Sequence, residues 1–167
     1  MTKAASAILI AALALSLPAV AAEPVTRTYR APDSAIATAV VVPPGYRTIY
    51  LQGMASAVRD ASAPEGSLAA YGNTEQQTLS ALGRIRDALR AEGADLTDVV
   101  SMKVSLVADP NLGGKIDFDG MMRAYRTLFG TTEQPNRPSR TTVQVAGLTK
   151  PGFLVEIETI AAVPVRP

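Results

Sequence analysis

Apolar and polar positions alternate with a period of two through the last third of this chain. In a strand, side chains at i and i+2 share a face. Arg140-Thr-Thr-Val-Gln-Val therefore puts Arg140, Thr142 and Gln144 on one side and Thr141, Val143 and Val145 on the other. Leu154-Val-Glu-Ile-Glu-Thr-Ile-Ala sets Glu156 and Glu158 opposite Val155 and Ile157. Val99 to Val107 repeats the pattern, with Val100, Met102, Val104 and Leu106 against Ser101, Lys103 and Ser105. Nearer the N-terminus, Val25 to Tyr29 reads as extended. Ile36 to Val42 and Thr48 to Gln52 are β-rich runs parted by Pro43-Pro-Gly45, a turn signal. Gly53-Met-Ala-Ser is expected to leave the strand, and Ala55 to Gly72 reads as a loop without a period.

The helical period appears in two segments. Thr74 to Glu92 carries Leu79, Leu82, Ile85 and Leu89 as an apolar stripe, with Arg84, Arg86, Asp87 and Arg90 facing out. Asn73 stands at its N-cap, Gln76 at the capping-box position, and Gly93 at its end. Phe118 to Phe129 is the second helix, with Met121, Met122, Tyr125, Leu128 and Phe129 apolar. Asp109 to Gly114 and Gly130 to Pro138 are connectors. The order β, β, α, β, α, β, β gives too few helices to cover both faces of a sheet. The expected fold is an α+β two-layer sandwich with two helices on one sheet face. Its other face is mixed in polarity, which predicts burial there by oligomerisation.

Composition changes the picture at the N-terminus first. Lys3, the apolar run Ala4 to Leu17 and the small residues Pro18 to Ala22 form a Sec-type signal peptide, with cleavage expected near Ala21 or Ala22. The run is shorter than a spanning helix needs, and with no cysteine present a lipoprotein anchor is excluded. The expected division is a leader over 1–22 and one domain over 23–167, exported to the periplasm or secreted, and free of the membrane after cleavage. Without Lys3, the 16 basic residues become 15 against 15 acidic ones. Nucleic-acid binding needs a concentrated basic surface, so that near-neutral balance argues against it. Zero Cys and zero His remove thiol nucleophiles, imidazole bases and the usual zinc ligands. Chemistry here must run on Arg, Lys, carboxylates, hydroxyls, backbone groups and water, with no metal or cofactor expected.

Those limits single out a few side chains. Arg140 follows Pro135-Asn-Arg-Pro-Ser, a stretch that pins the chain ahead of the strand. Its planar fork suits a carboxylate held bidentately, and a salt bridge to Glu156 or Glu158 is the alternative. Either glutamate could direct a water as general base or acid, or sit in a solvated or intersubunit ion pair, and pattern alone does not rank them. Lys103 could be a Schiff-base amine only if desolvated, and its serine-flanked face favours a solvated or interface lysine. Gly113-Gly114-Lys115 lacks the spacing and setting of a phosphate loop. Tyr125 and Phe129, one helical turn apart, read as core.

One set of segments begins with Ile49-Tyr-Leu-Gln-Gly53, Thr74-Glu-Gln-Gln-Thr78, Gly93-Ala-Asp-Leu-Thr-Asp-Val-Val100 and Lys103-Val-Ser-Leu. It continues with Phe118…Tyr125…Phe129, Pro138-Ser-Arg-Thr-Thr-Val and Val155-Glu-Ile-Glu-Thr-Ile-Ala161. In these segments, and in their order over nearly the whole of residues 23–167, the chain resembles the RidA (YjgF-like, L-PSP endoribonuclease-like) family of reactive-intermediate deaminases. The resemblance implies a chorismate-mutase-like fold and a homotrimer with ligand clefts between subunits. It implies that Arg140 binds the carboxylate of a 2-imino acid or its enamine. Glu156 would orient the water that releases a 2-ketoacid and ammonia, and Gly53 and Thr142 would line the pocket. Departures stand beside it. The family's tyrosine falls near Ala39, an asparagine falls on Met122, and the turn residues flanking Gly53 are Gln52 and Met54. These predict a remodelled pocket, either with a different substrate or with carboxylate capture and no turnover. Endoribonuclease activity, which gives relatives their other name, is disfavoured by the neutral charge and the lack of an aromatic platform.

Overall fold

A computed structural model describes residues 23–165; the expected leader over 1–22 lies outside them. Strands β1 (Thr26–Thr28) and β2 (Ala39–Val41) form a small antiparallel ribbon. The main sheet contains β3 (Tyr46–Ala55), β4 (Val99–Val107), β5 (Ser139–Val145) and β6 (Val155–Pro164) in the order β3-β6-β4-β5. β6 runs antiparallel to both neighbours, whereas β4 and β5 are parallel. A parallel pair needs a crossover, and α3 (Phe118–Arg126) supplies it between β4 and β5. α2 (Thr74–Ala91) makes the corresponding crossover from β3 to β4, leaving a slot that β6 fills. Both helices lie on one sheet face, as the α+β sandwich expected from the pattern requires.

The caps act as the spacing predicts. The Asn73 side chain accepts from the Gln76 amide, Gln76 returns the bond to Asn73, and Gly93 closes the end at φ +70°. Leu82, Ile85 and Leu89 pack with Met102, Val104, Leu106, Ile157 and Met121 in one core. Leu79 is instead 41% exposed, because the helix is wider-faced than the stripe suggests and Ala81 and Gln77 occupy the sheet side. Phe118 is likewise exposed, and the helix it starts ends at Arg126 rather than Phe129.

Two further departures bear on the site. β3 does not stop at Gly53; a bulge between Leu51 and Met54 absorbs the glycine and pairing resumes to Ala55. The stretch read as an aperiodic loop holds a short helix, α1 (Leu68–Tyr71), and its own small core of Ala55, Ala70, Tyr71 and Phe153. Gln77, fully buried, ties this loop down by donating to the carbonyls of Gly72 (2.9 Å) and Gly152 (2.8 Å) and accepting from the Leu154 amide (2.8 Å). Gly152 is required there, since a Cβ would stand 2.5 Å from the Ser67 carbonyl oxygen. Among the described residues no helix is long and apolar enough to cross a membrane.

Candidate active site

Register places the predicted residues on two different surfaces. Arg140 pairs with Met102 and Thr142 with Val104, so both point to the helix side of the sheet. Glu156 pairs with Ser105 and Glu158 with Lys103, so both carboxylates lie on the open side. A salt bridge from Arg140 to either glutamate, the alternative open from sequence, is thereby excluded within one chain. The alternation was legible in sequence, but which face the helices cover was not.

On the helix side, the Arg140 guanidinium lies 4.4 Å from the Tyr125 ring centroid. Such stacking favours arginine over lysine. The fork meets only sulfur: Nη2 is 3.0 Å from the Met122 Sδ and Nη1 is 3.9 Å from the Met121 Sδ. Nε is buried with no acceptor, and so is the Thr142 hydroxyl two residues along the same face. Among the described residues no oxygen accepts from this cation. Burial pulls its pKa below the ordinary arginine value; the Tyr125 phenol opposes that and neighbouring Arg126 adds to it. It remains a cation at neutral pH, half-buried and short of acceptors. Leaving such donors unpaired is costly, and a ligand carboxylate would satisfy them.

Tyr125 is core, as its spacing with Phe129 suggests (centroids 4.8 Å apart, stacked). Its second role was missed. Its hydroxyl donates to the Ala35 carbonyl (2.9 Å), and burial pushes its pKa up to about 12, so it stays a neutral platform. Arg137, three residues before Arg140, stacks over Tyr29 at 4.0 Å. It donates through Nη1 to the carbonyls of Pro32 (3.0 Å) and Ser34. These bonds clamp the N-terminal arm across the base of β5. The Pro135-Asn-Arg-Pro stretch signalled a pinned chain, but nothing in it named the arm as the partner.

On the open side, Lys103 donates to Glu158 at 2.8 Å in a half-exposed pair. That bond holds the lysine's pKa above its usual value, which is the reverse of what a Schiff-base amine needs. Glu158 is thus occupied. Glu156 has no hydrogen bond or ion pair among the described residues, and its side chain lies against Gly53. A Cβ on Gly53 would stand 2.7 Å from the Glu156 carboxyl carbon. The bulge and the missing side chain therefore make the space in which this carboxylate rests. Ala39, near which the family's absent tyrosine falls, is exposed on β2.

A profile of the endoribonuclease L-PSP family matches residues 46–163, which include Gly53, Arg140, Thr142 and Glu156. A 2-iminobutanoate/2-iminopropanoate deaminase of Rattus norvegicus is 36% identical over 115 residues, 69% of this chain and 72% of the relative. Among solved structures, RidA from the Antarctic bacterium Psychrobacter sp. has a TM-score of 0.52 at 27% identity, over 78% of this chain and 90% of that one. E. coli TdcF with bound serine has a TM-score of 0.53 at 25% identity, over 73% and 84%. The chorismate-mutase-like fold of such neighbours is the arrangement described above.

Proposed function

The chain belongs to the endoribonuclease L-PSP family, the group of the RidA proteins, and on that premise we propose that it hydrolyses small 2-imino acids to 2-ketoacids and ammonia. The observation that supports this best is the stacked, half-buried Arg140, whose terminal nitrogens meet only thioethers among the described residues. A substrate carboxylate replaces those weak acceptors with charge-assisted bonds. The adjacent iminium carbon is already electrophilic, so the protein needs chiefly to position it and direct one water. Glu156 accepts a proton as the water oxygen bonds to that carbon. Glu156 returns that proton to the carbinolamine nitrogen, the C–N bond breaks with its electron pair leaving on ammonia, and the hydroxyl proton passes back to Glu156 as the carbonyl forms. No metal or cofactor enters these steps.

Arg140 and Glu156 occupy opposite sheet faces, so one chain cannot close them on one ligand. The reading therefore includes assembly: a second copy brings its open face, with Gly53 and Glu156, over Arg140 and Thr142. The homotrimer implied by resemblance supplies this arrangement, and it buries the mixed open face. The reading also includes export, from the leader-like run after Lys3, so an extracytoplasmic amine-oxidising reaction must supply the imines.

The test generates a panel of 2-imino acids in situ with an amino-acid oxidase and follows their loss against a protein-free control. Acceleration that disappears in Arg140→Ala supports the enzyme. A second reading is favoured by Met122 standing at the guanidinium and by Ala39 offering no hydroxyl: the same clamp captures small carboxylates without turnover. A flat response from folded protein that still binds 2-ketoacids selects that reading.

A further inference from the structure

The Met122 thioether is the nearest neighbour of the guanidinium edge, at 3.0 Å from Nη2. Met121, the other sulfur, is 3.9 Å from Nη1 and sealed in the core at 1% exposure. Met122 belongs to the same core but keeps more exposure, at 9%. A thioether is a weak acceptor, so a carboxylate arriving at the guanidinium edge displaces it. Met121 has nowhere to go. Met122 has three rotatable side-chain bonds and a polarisable tip, and its residual exposure leaves it room to swing off the guanidinium edge. The carbon next to a bound carboxylate carries both the reacting C=N and the side chain R. The displaced thioether therefore comes to rest against R.

Resting on the carboxylate-clamp reading of Arg140, we infer that Met122 sets the side-chain specificity of the site. It selects 2-imino acids with an aliphatic or thioether R over those whose R is short and polar. An apolar R buries its methylenes on the Met122 chain, whereas a hydroxyl there finds no donor and only a weak acceptor in a thioether and loses its water. Burial is worth ~0.8 kcal/mol per methylene, which is about fourfold in affinity for each carbon added. Arg126, one turn beyond Met122 on α3 and electrostatically felt by Arg140, is the neighbouring charge that could compete by favouring a second carboxylate in R.

Calorimetric titration with stable 2-oxo acids tests this apart from turnover. The series runs from 2-oxopropanoate to 2-oxohexanoate, with 4-methylsulfanyl-2-oxobutanoate, 3-hydroxy-2-oxopropanoate and 2-oxopentanedioate as probes. The purified protein is expected to gain about fourfold per methylene, to hold the thioether acid as tightly as 2-oxohexanoate, and to bind the hydroxy acid no better than 2-oxopropanoate. Met122→Leu keeps the slope; Met122→Asn flattens it and improves the hydroxy acid. A slope unchanged in Met122→Asn, or a flat series in the wild type that still binds 2-oxopropanoate, overturns the inference and leaves the clamp standing. Tightest binding of 2-oxopentanedioate also overturns it, in favour of Arg126. Failure of every acid to bind removes the clamp and the inference together.

Discussion

Arg137 and Arg140 stand three residues apart and each lies over a tyrosine ring, at 4.0 and 4.4 Å. Their surroundings differ. Nη1 of Arg137 reaches two backbone carbonyls and staples the N-terminal arm to β5, while among the described residues Arg140 reaches only sulfur. The open side repeats the contrast with acids, since Glu158 is paired with Lys103 and Glu156 has no partner among the described residues. In each couple one member is satisfied by the fold and the other is held ready for something the chain does not contain. Folding energy accounts for the first member of each couple. An unpaired, partly buried charge costs stability, so the second member is better explained by a ligand or a partner copy.

Substituting the arginines should separate the two roles most widely. Arg140→Lys loses the fork and the stacking, and 2-ketoacid affinity should fall about 100-fold or more, as the loss of one or two charge-assisted bonds implies. Its urea midpoint should stay near wild type. Arg137→Ala should do the reverse, losing about 2 kcal/mol of stability with binding changed by no more than a few fold. Equal effects of both variants on binding and on stability would erase the distinction.

The acids come next. Glu156→Gln should lower kcat by about 100-fold or more while leaving ketoacid binding nearly intact, the range for loss of a proton-transferring group. Glu158→Gln, which removes only an exposed pair worth at most about 1 kcal/mol, should leave kcat within about twofold. If Glu158→Gln is the damaging variant, the assignment passes to Glu158. A finer cut is Gly53→Ala. Its methyl group would overlap the Glu156 carboxyl group at 2.7 Å, so kcat should drop about tenfold without a matching change in ketoacid affinity, read by steady-state kinetics and calorimetry.

Much of this was legible in the sequence because it rests on period. Strand faces, the capping box of α2 and the shared side of Arg140 and Thr142 follow from spacing alone. The missing part depended on what packs against each face. Alternation assigns Glu156 and Glu158 to one side, but only the register opposite β4 shows that Lys103 reaches Glu158. The bulge at Gly53 was invisible because a glycine in a strand pattern reads equally as an exit. Leu79 was misplaced because the leucine stripe drew the face toward it, whereas the buried arc runs through Ala81 and Gln77, and Gln77 is buried by its bonds to Gly72, Gly152 and Leu154. The roles of Met122 and Tyr125 depend on where Arg140 points, a contact 15 or more positions distant in sequence.

The smallest effect tests whether the platform beneath Arg140 is as rigid as its stacking implies. Tyr125→Phe keeps the ring and removes only the hydroxyl bond to Ala35, so ketoacid affinity should change less than about twofold and stability at neutral pH should fall by about 1 kcal/mol. The alkaline limb is more diagnostic. Burial raises the folded Tyr125 pKa to about 12, above the roughly 10 of an unfolded tyrosine. A group raised on folding contributes stability that is present below its unfolded pKa and lost as pH climbs through the folded one. Wild type should therefore lose about 2 kcal/mol between pH 10 and 12 from this residue, and Tyr125→Phe should lack that share. Urea unfolding at pH 8, 10 and 11.5 reads it directly. Parallel decline in both proteins would mean that the phenol ionises freely and that Arg140 rests on a mobile ring.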